Sequence, residues 1–403
     1  MQSHLDRVEQ ALLQLQQGKM IILTDAADRE NEGDLIIAAD KITPESMNFI
    51  IRNSSGIVCL SLPEAQLAKL ELPLMVPAID NSSLRGTPFT ISIDARHAIA
   101  TGVSAVDRVE TIRAASSATA VAADLVKPGH IFPLQARNGG VLERAGHTEG
   151  ALDLMRLAGL APAAVLCEIM NSDGSMTRGD ELEKFAATHD LLVLTIEDII
   201  AYRLSKENNI AAETIAALPV EGCEGLQVMA VKEKLTGLEH LVLINEVKTQ
   251  EIPLVRIHSS CLTGDLFASL RCDCNKQLHY SLAKIQNEGG ILIYLQQEGR
   301  GIGLFNKIKA YALQENGFDT IEANQELGLP IDSRQYHIAA NILRNRNISR
   351  VRLLTNNLAK VSALEKFGIE VTDREAVPIF CNQHNKKYLQ AKKEKLNHAI
   401  LMP

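Results

Sequence analysis

Three cysteines, Cys261, Cys272 and Cys274, are spaced so that their sulfurs can meet on one metal ion, and a chain that does this must close the loop between the first two. Zinc takes four ligands. A structural site fills all four with Cys or His, whereas a catalytic site keeps one position for water or substrate. The cysteines lie in Arg256-Ile-His-Ser-Ser-Cys-Leu-Thr-Gly-Asp265 and Ser269-Leu-Arg-Cys-Asp-Cys274, polar stretches rather than the apolar surroundings of packed cysteines. Spacing alone leaves three readings: a catalytic zinc with an open position, a structural zinc completed by His258 or His279, and three cysteines of the core.

The chain has 403 residues, 46% of them apolar, enough for two full cores. No apolar run approaches the ~20 residues of a membrane span, and the first residues read as an amphipathic helix rather than an export signal. The expectation is a cytoplasmic protein with no membrane partner. Seven cysteines, an odd number, fit a reducing compartment, with Cys59, Cys167, Cys223 and Cys381 outside the cluster. Residues 1–204 carry 17 Lys and Arg against 27 Asp and Glu, while 205–403 carry 24 against 22. An acidic first half argues against nucleic acid and suits a divalent cation. The second, with Arg271, Arg300, Arg334 and Lys360, suits a phosphorylated ligand, although for any single one of these cations solvated surface is the plainer reading.

Periodicity gives a mixed α+β or α/β chain of two globular domains, each a mixed sheet flanked by helices. Leu5, Val8, Leu12 and Leu15 form one stripe of a first helix that Gly18 ends. Strands are expected at 20–24, 57–62, 89–93, 164–169 and 191–195, and helices at 106–115, 149–158 and 179–189. The segment 25–34 is too polar to bury and reads as a loop projecting from a sheet edge. Residues 205–218 read as a helical or mobile connector between domains 1–204 and 219–403. Beyond it a strand, a glycine loop and a helix occur in order at 290–314 and again at 350–367, and helix N-termini after such loops favour phosphate.

Asp28-Arg-Glu-Asn-Glu-Gly-Asp34 gathers carboxylates and an arginine around a glycine, a composition that suits Mg²⁺ plus phosphate; its plain alternative is a solvated acidic turn. Arg144-Ala-Gly-His-Thr-Glu149 offers a guanidinium, a helix start and an imidazole, or simply a capped surface helix. With Thr101-Gly-Val-Ser-Ala105, Pro128-Gly-His-Ile-Phe-Pro133 and Cys167-Glu168, these stretches make residues 1 to about 203 resemble 3,4-dihydroxy-2-butanone 4-phosphate synthase. From about residue 219 the chain resembles GTP cyclohydrolase II. The residues that carry this are His258-Ser-Ser-Cys-Leu-Thr-Gly-Asp265, Arg271-Cys-Asp-Cys274, Gln297-Glu-Gly-Arg-Gly-Ile-Gly-Leu304, Tyr311-Ala-Leu, Asp319-Thr-Ile-Glu-Ala-Asn324, Asp332-x-Arg334 and Leu353-Leu-Thr-Asn-Asn357. The fusion resembles a bifunctional enzyme of riboflavin biosynthesis.

For the first half the resemblance implies conversion of ribulose 5-phosphate to dihydroxybutanone phosphate and formate. Two Mg²⁺ or Mn²⁺ ions would sit on Glu30 and His147, and Arg29 with Arg144, Ala145, Gly146, His147 and Thr148 would hold the substrate and its phosphate. Asp34 and Glu168 would contact sugar hydroxyls or move protons, with His130 and Thr101 in support and Cys59 in the site. For the second half it implies release of formate and pyrophosphate from GTP, with one Zn²⁺ on Cys261, Cys272 and Cys274. Arg334 would act at the α-phosphate, Asp332 would accept a proton and Tyr311 would assist at the ring. GTP would be bound by Arg256, Ile257, His258, Ser259, Ser260, Gln277, Glu298, Gly299, Arg300, Thr320, Thr355 and Lys360. A homodimer is implied as well.

Departures from the family pattern fall mainly in the second half. Ser260 stands where Glu is usual, Asn275 where Gly is, and Gln296 where a basic residue is; in the first half Ala26 and Ala27 replace acidic residues. These departures motivate an alternative in which the synthase works beside a weak or altered cyclohydrolase. A zinc-stabilised nucleotide-binding protein without turnover is the alternative of a different class.

Overall fold

The structure, a computed structural model, describes residues 4–246, 251–386 and 388–390. The chain divides into two units, Met1–Arg203 and Leu204–Pro403.

In the first unit the strands are β1 (Ile21–Thr24), β2 (Gly33–Ala38), β3 (Cys59–Pro63), β4 (Ile93–Ala95), β5 (Leu125–Ala136), β6 (Ala164–Glu168) and β7 (Val193–Thr195). They form one mixed sheet in the order β4-β5-β3-β6-β2-β1-β7. Its helices are α1 (His4–Gln16), α2 (Pro44–Asn53), α3 (Glu64–Lys69), α4 (Ala105–Ser116), α5 (His147–Leu157), α6 (Gly179–His189) and α7 (Ile196–Lys206). Strand alternation sorts the core. Ile22, Leu35 and Ile37 face one side and pack with Met47, Ile50, Val109, Ile112 and Leu182 from α2, α4 and α6. Ile21, Leu23, Ile36 and Ala38 face the other and pack with Val8, Leu12, Ala151, Leu154 and Ile199 from α1, α5 and α7. Covered on both faces, β1 and β2 are apolar at nearly every position rather than at every second one.

Three expectations change. The strand expected at 89–93 is shorter and later, at β4, and Phe89 and Thr90 make only isolated bridges, beside Pro88, which has no N–H to give a ladder. The polar segment 25–34 is a hairpin connection between two interior strands, not a loop at a sheet edge, and both its ends are buried: Asp25 and Asp34 are 7% and 3% exposed. Residues 205–218, read as a connector, contain the end of α7 and the strand β8 (Ile210–Ala217). Only Ile210 of β8 is buried. It is an edge strand held by its ladder to the next strand, so its Ala- and Glu-containing sequence carries almost no hydrophobic pattern.

The second unit continues with β9 (Gln227–Glu233), β10 (Glu239–Asn245), β11 (Leu254–Ser259), β12 (Gly290–Leu295), β13 (Arg350–Leu354) and β14 (Glu370–Glu375). The sheet order is β14-β13-β11-β12-β10-β9-β8. Its helices are α8 (Leu262–Asp265), α9 (Cys274–Glu288), α10 (Gly303–Glu315), α11 (Thr320–Glu326), α12 (His337–Asn345) and α13 (Leu358–Lys366). Strand β11 runs parallel to both β12 and β13. The segments that follow these three strands, Ser260–Cys261, Gln296–Gly303 and Thr355–Asn357, therefore leave the sheet at one edge, where the carboxyl ends of parallel strands open a crevice.

Candidate active sites

In the first unit the β1–β2 connection, the end of β6 and the start of α5 enclose a cavity of about 260 Å³. Arg29, Glu30, Asp34, Cys59, Arg144, His147, Thr148 and Glu168 line it. The connection is shaped by Asp25, whose carboxylate accepts from Arg29 Nη1 at 2.8 Å and from the backbone N–H groups of Glu30 and Glu32 at 3.0 Å each. Burial pushes the Asp25 carboxyl up, but these donors outweigh it and hold the group below its ordinary range.

Asp34 and Glu168 are register partners on β2 and β6, so both carboxylates stand on one face of the sheet. Burial, then the charge of Glu168 and of Glu30, raises the Asp34 carboxyl well above its ordinary range. Asp34 Oδ1 and His147 Nε2 are buried without a hydrogen-bond partner. His147 Nδ1 lies 3.8 Å from both Glu30 Oε2 and Asp34 Oδ1, and burial lowers the imidazole so that it is neutral at neutral pH. One ligand atom each from Asp25, Glu30 and His147 lie within 4.8 Å of one another. Two of the three donors are carboxylate oxygens, the type a hard divalent cation takes, and an orphaned imidazole nitrogen beside them fits the same use. Asp25 already accepts from three N–H groups and so organises the loop, while Glu30, whose Oε2 accepts from Arg29 Nη1 at 2.6 Å, and His147 line the cavity. Phosphate would be met by Arg144, fixed by Glu149 at 2.6 Å, and by the first N–H groups of α5, which have no intrahelical acceptor.

In the second unit the crevice is a cavity of about 460 Å³, and the three cysteines lie in its wall. Their sulfurs lie within 4.8 Å of one another, with Cys261 and Cys272 3.7 Å apart. Ligands at the usual Zn–S length of ~2.3 Å in a tetrahedron are about 3.8 Å apart, a separation that Cys261 and Cys272 meet, and the chemistry of the trio fits zinc. Gly264 permits this, because a Cβ there would stand 2.7 Å from Cys272 Sγ and 3.0 Å from Cys261 Sγ. Among the described residues no histidine or carboxylate joins the cluster. His258 Nε2 is engaged by Asp265 at 3.1 Å, and His279 is exposed on α9, so neither candidate fourth ligand is in place.

Asp265 also accepts from the Cys261 N–H and from Tyr294 Oη, both at 2.9 Å, so one carboxylate fixes the first cysteine and the histidine three residues before it. Burial lowers the His258 imidazole, and with Nε2–H donated to Asp265 its buried Nδ1 presents a lone pair. Arg256 spans the Leu354 carbonyl at 3.0 Å and Gln277 Oε1 at 2.9 Å. Burial lowers it to about 10, which leaves it charged at neutral pH. The glycine loop turns through two left-handed residues, Gly299 at φ 62° and Arg300 at φ 63°. Arg300 accepts that strain with Nη1 and Nη2 buried and lacking any hydrogen-bond partner, which suits an anion. Asp332 and Arg334 pair through both carboxylate oxygens, at 2.9 and 3.1 Å from Nε. Burial pushes the Asp332 carboxyl up and Arg334 outweighs it, holding the group below its ordinary range.

Several expected residues stand apart. His130 does not line the first cavity; it lies on β5 with Nδ1 2.8 Å from Asp94 Oδ2, and Ala145 and Gly146 do not line it either. Ile257 points into the core of the second unit, as strand alternation requires, and Asp332 reaches the cavity only through Arg334. The side chain of Thr320 lies outside the described residues. Of the departures, Ser260 alone lines the cavity, with its buried Oγ unpartnered. Asn275 donates to the Asp265 carbonyl at 3.0 Å, and Gln296 is exposed with its N–H on His240 Nδ1. Sequence reasoning missed Asp25 as loop organiser, Asp265 and Lys307. All three are common charged residues whose signal is the partner they meet in space.

The family model for 3,4-dihydroxy-2-butanone 4-phosphate synthase matches residues 9–202, and that for GTP cyclohydrolase II matches residues 211–376. The chain is 51% identical over 398 residues to the riboflavin biosynthesis protein RibBA of Aquifex aeolicus, covering 98% of this chain and 97% of that one. It is 46% identical over 398 residues to RibBA of Phocaeicola vulgatus, covering 98% of each. A crystal structure of RibBX, described as a two-domain 3,4-dihydroxy-2-butanone 4-phosphate synthase from A. baumannii, is 34% identical with a TM-score of 0.65, covering 93% of this chain and 100% of that one.

Proposed function

The chain belongs to the family of bifunctional riboflavin-biosynthesis proteins that join a 3,4-dihydroxy-2-butanone 4-phosphate synthase to a GTP cyclohydrolase II, and from that membership we propose that its two cavities are the two active sites. The enzyme supplies both precursors of riboflavin. One half converts ribulose 5-phosphate to 3,4-dihydroxy-2-butanone 4-phosphate and formate; the other converts GTP to a diaminopyrimidinone ribosyl phosphate, formate and pyrophosphate. The observation that carries the assignment is three sulfurs within 4.8 Å of one another, with no fourth ligand among the described residues, in the wall of a cavity that also holds Arg300, whose Nη1 and Nη2 lack a hydrogen-bond partner.

Both halves use metal ions. We assign two Mg²⁺ or Mn²⁺ ions to Glu30 and His147, and one Zn²⁺ to Cys261, Cys272 and Cys274. Bound there, such ions supply Lewis acidity, towards the sugar carbonyl in the first half and towards water in the second. The remaining work falls to the protein. Arg29, Arg144 and the N-terminus of α5 hold the sugar phosphate, and Thr148 lines the same wall. Asp34, whose carboxyl its surroundings raise well above the ordinary range, and Glu168 face the hydroxyls across which the enediol forms, as a donor and acceptor pair.

In the second cavity Arg300, Lys360 and Arg334 receive the triphosphate, with Thr355 beside them, while Gln277, held by Arg256, and His258 Nδ1 meet polar edges of the purine. Burial raises the phenol of Tyr311, which hydrogen-bonds Thr263 at 3.3 Å and so keeps its proton close to the zinc ligands for delivery to the opening ring. Asp332 orients Arg334, and to accept a proton it must first leave that pair. We also propose a cytoplasmic homodimer, which sedimentation equilibrium tests; among the described residues no helix is long and apolar enough to cross a membrane.

The test follows formate and pyrophosphate from GTP with zinc-loaded protein, and ribulose 5-phosphate turnover with Mg²⁺ on the same sample. Both products in equal amounts support the assignment. Turnover of the sugar phosphate with neither product from GTP overturns it for the second cavity, and pyrophosphate without formate assigns the failure to ring opening.

A further inference from the structure

Lys307 sits on the first turns of α10 with its side chain 10% exposed, facing Cys261 across the cavity wall. An ammonium has three protons, and here three acceptors receive them: Glu298 Oε1 at 2.7 Å, Thr263 Oγ1 at 3.0 Å and Cys261 Sγ at 3.2 Å. Burying a cation costs free energy unless its partners repay it, and a chain that needed only to fold could place a neutral residue here. Glu298 extends the arrangement, since its Oε2 accepts from the Leu262 N–H at 2.6 Å and its Oε1 from the Gly299 N–H at 2.9 Å. The cysteine loop, the glycine loop and α10 thus meet at one ammonium.

We propose that Lys307 is a positioning residue for the cyclohydrolase reaction, which draws charge from the Cys261 sulfur by an N–H···S bond and locks the glycine loop to the metal-binding loop. The physical reason is charge. Three thiolates around a divalent ion leave a net negative site that donates strongly to the metal and blunts its Lewis acidity, and one ammonium on a ligand sulfur offsets this. The proposal rests on the assignment of the three cysteines to a metal.

Cobalt(II) tests it, because thiolate-to-cobalt charge-transfer absorption reports the donor strength of the sulfurs without any turnover. Full-length wild type, Lys307→Met and Lys307→Arg are loaded with cobalt for absorption and with zinc for GTP kinetics, and ribulose 5-phosphate turnover reports folding in each. Lys307→Met is expected to keep one cobalt per chain, to move the charge-transfer band to longer wavelength and to lower kcat by about tenfold to a hundredfold, with KM for GTP changed far less. Lys307→Arg, which keeps charge and donors, is expected to recover part of both. An unmoved band overturns the proposal, whether kcat is retained or falls together with a raised KM; the latter places the lysine in nucleotide binding through Glu298. Loss of cobalt from both variants overturns it also, since the site would then need the lysine to form. If wild type itself shows no sulfur–cobalt band, the metal assignment fails, and that result is distinct from the others.

Discussion

In the first cavity negative charge is gathered and left without full compensation: Asp34, Glu168 and Glu30 crowd together, and burial with these neighbours raises the Asp34 carboxyl well above its ordinary range. In the second, the charged atoms alternate: the sulfurs face Lys307, Lys307 faces Glu298, and Arg334 faces Asp332. The first arrangement suits a hard cation that arrives with its water and neutralises what the fold has buried. The second suits a softer ion on thiolate ligands, with an ammonium beside one of them. Two regions of one chain thus prepare for a metal in opposite ways, and each should fail in its own manner.

The largest effects separate the halves outright. Cys272→Ser is expected to lower GTP turnover by more than about a hundredfold, beyond the ~10–100-fold typical of outer-shell changes, and to leave ribulose 5-phosphate turnover unchanged. Glu30→Gln should give the mirror image, and a variant of either kind that silences both activities breaks the comparison. Chelation is next. Stripping metal should abolish both activities while far-ultraviolet circular dichroism stays close to that of the holoenzyme, because Gly264 packs against the sulfurs and Asp265 holds the Cys261 N–H through protein contacts of their own; collapse of the helical signal would make the zinc structural.

A smaller change is expected from Ser260→Glu. Supplying a carboxylate beside the guanine end, where a buried hydroxyl now lacks a partner, should lower KM for GTP by about tenfold, in line with one added hydrogen bond to a buried ligand group. No change would remove the reason to regard Ser260 as weakening base recognition.

The smallest concerns stability. Glu233 on β9 accepts from His337 at 2.9 Å, His240 at 3.4 Å and Thr236 at 2.7 Å. Burial pushes its carboxyl up, but these donors outweigh it and hold the folded group far below its ordinary range. A depressed folded value contributes stability that is fully present above the unfolded value of ~4.3 and is lost as pH falls towards the folded one. Glu233→Gln should therefore cost the second unit about 1–3 kcal/mol at pH 7 in urea unfolding, with the gap to wild type narrowing below about pH 4. A gap that widens in acid would mean that the histidines rather than the carboxylate set the dependence.

How much could be read in advance follows the kind of signal each feature leaves. Helix α6 is legible to the residue, and β12 and β13 begin at the first residues of the two strand, loop and helix stretches, because strong periodicity ends at glycines or turns. Strand β8 is not legible, since an edge strand with one buried side chain has nothing periodic to show. The segment 25–34 differs from its expectation in depth: polarity argues for exposure, and Asp25 is buried because backbone N–H groups surround it.

By itself the sequence determined the chemistry that each half carries, for the donors are side chains and their types are fixed covalently: three sulfurs in one region, carboxylates and an imidazole in the other. What only the tertiary structure decided is which charges stand beside those donors. Lys307 meets Cys261 from 46 residues away because β11 and β12 are parallel neighbours in a mixed sheet. Asp34 meets Glu168 because β2 and β6 pair in one register. Coulombic and hydrogen-bonded neighbours act through distance in space, which a list of residues does not contain.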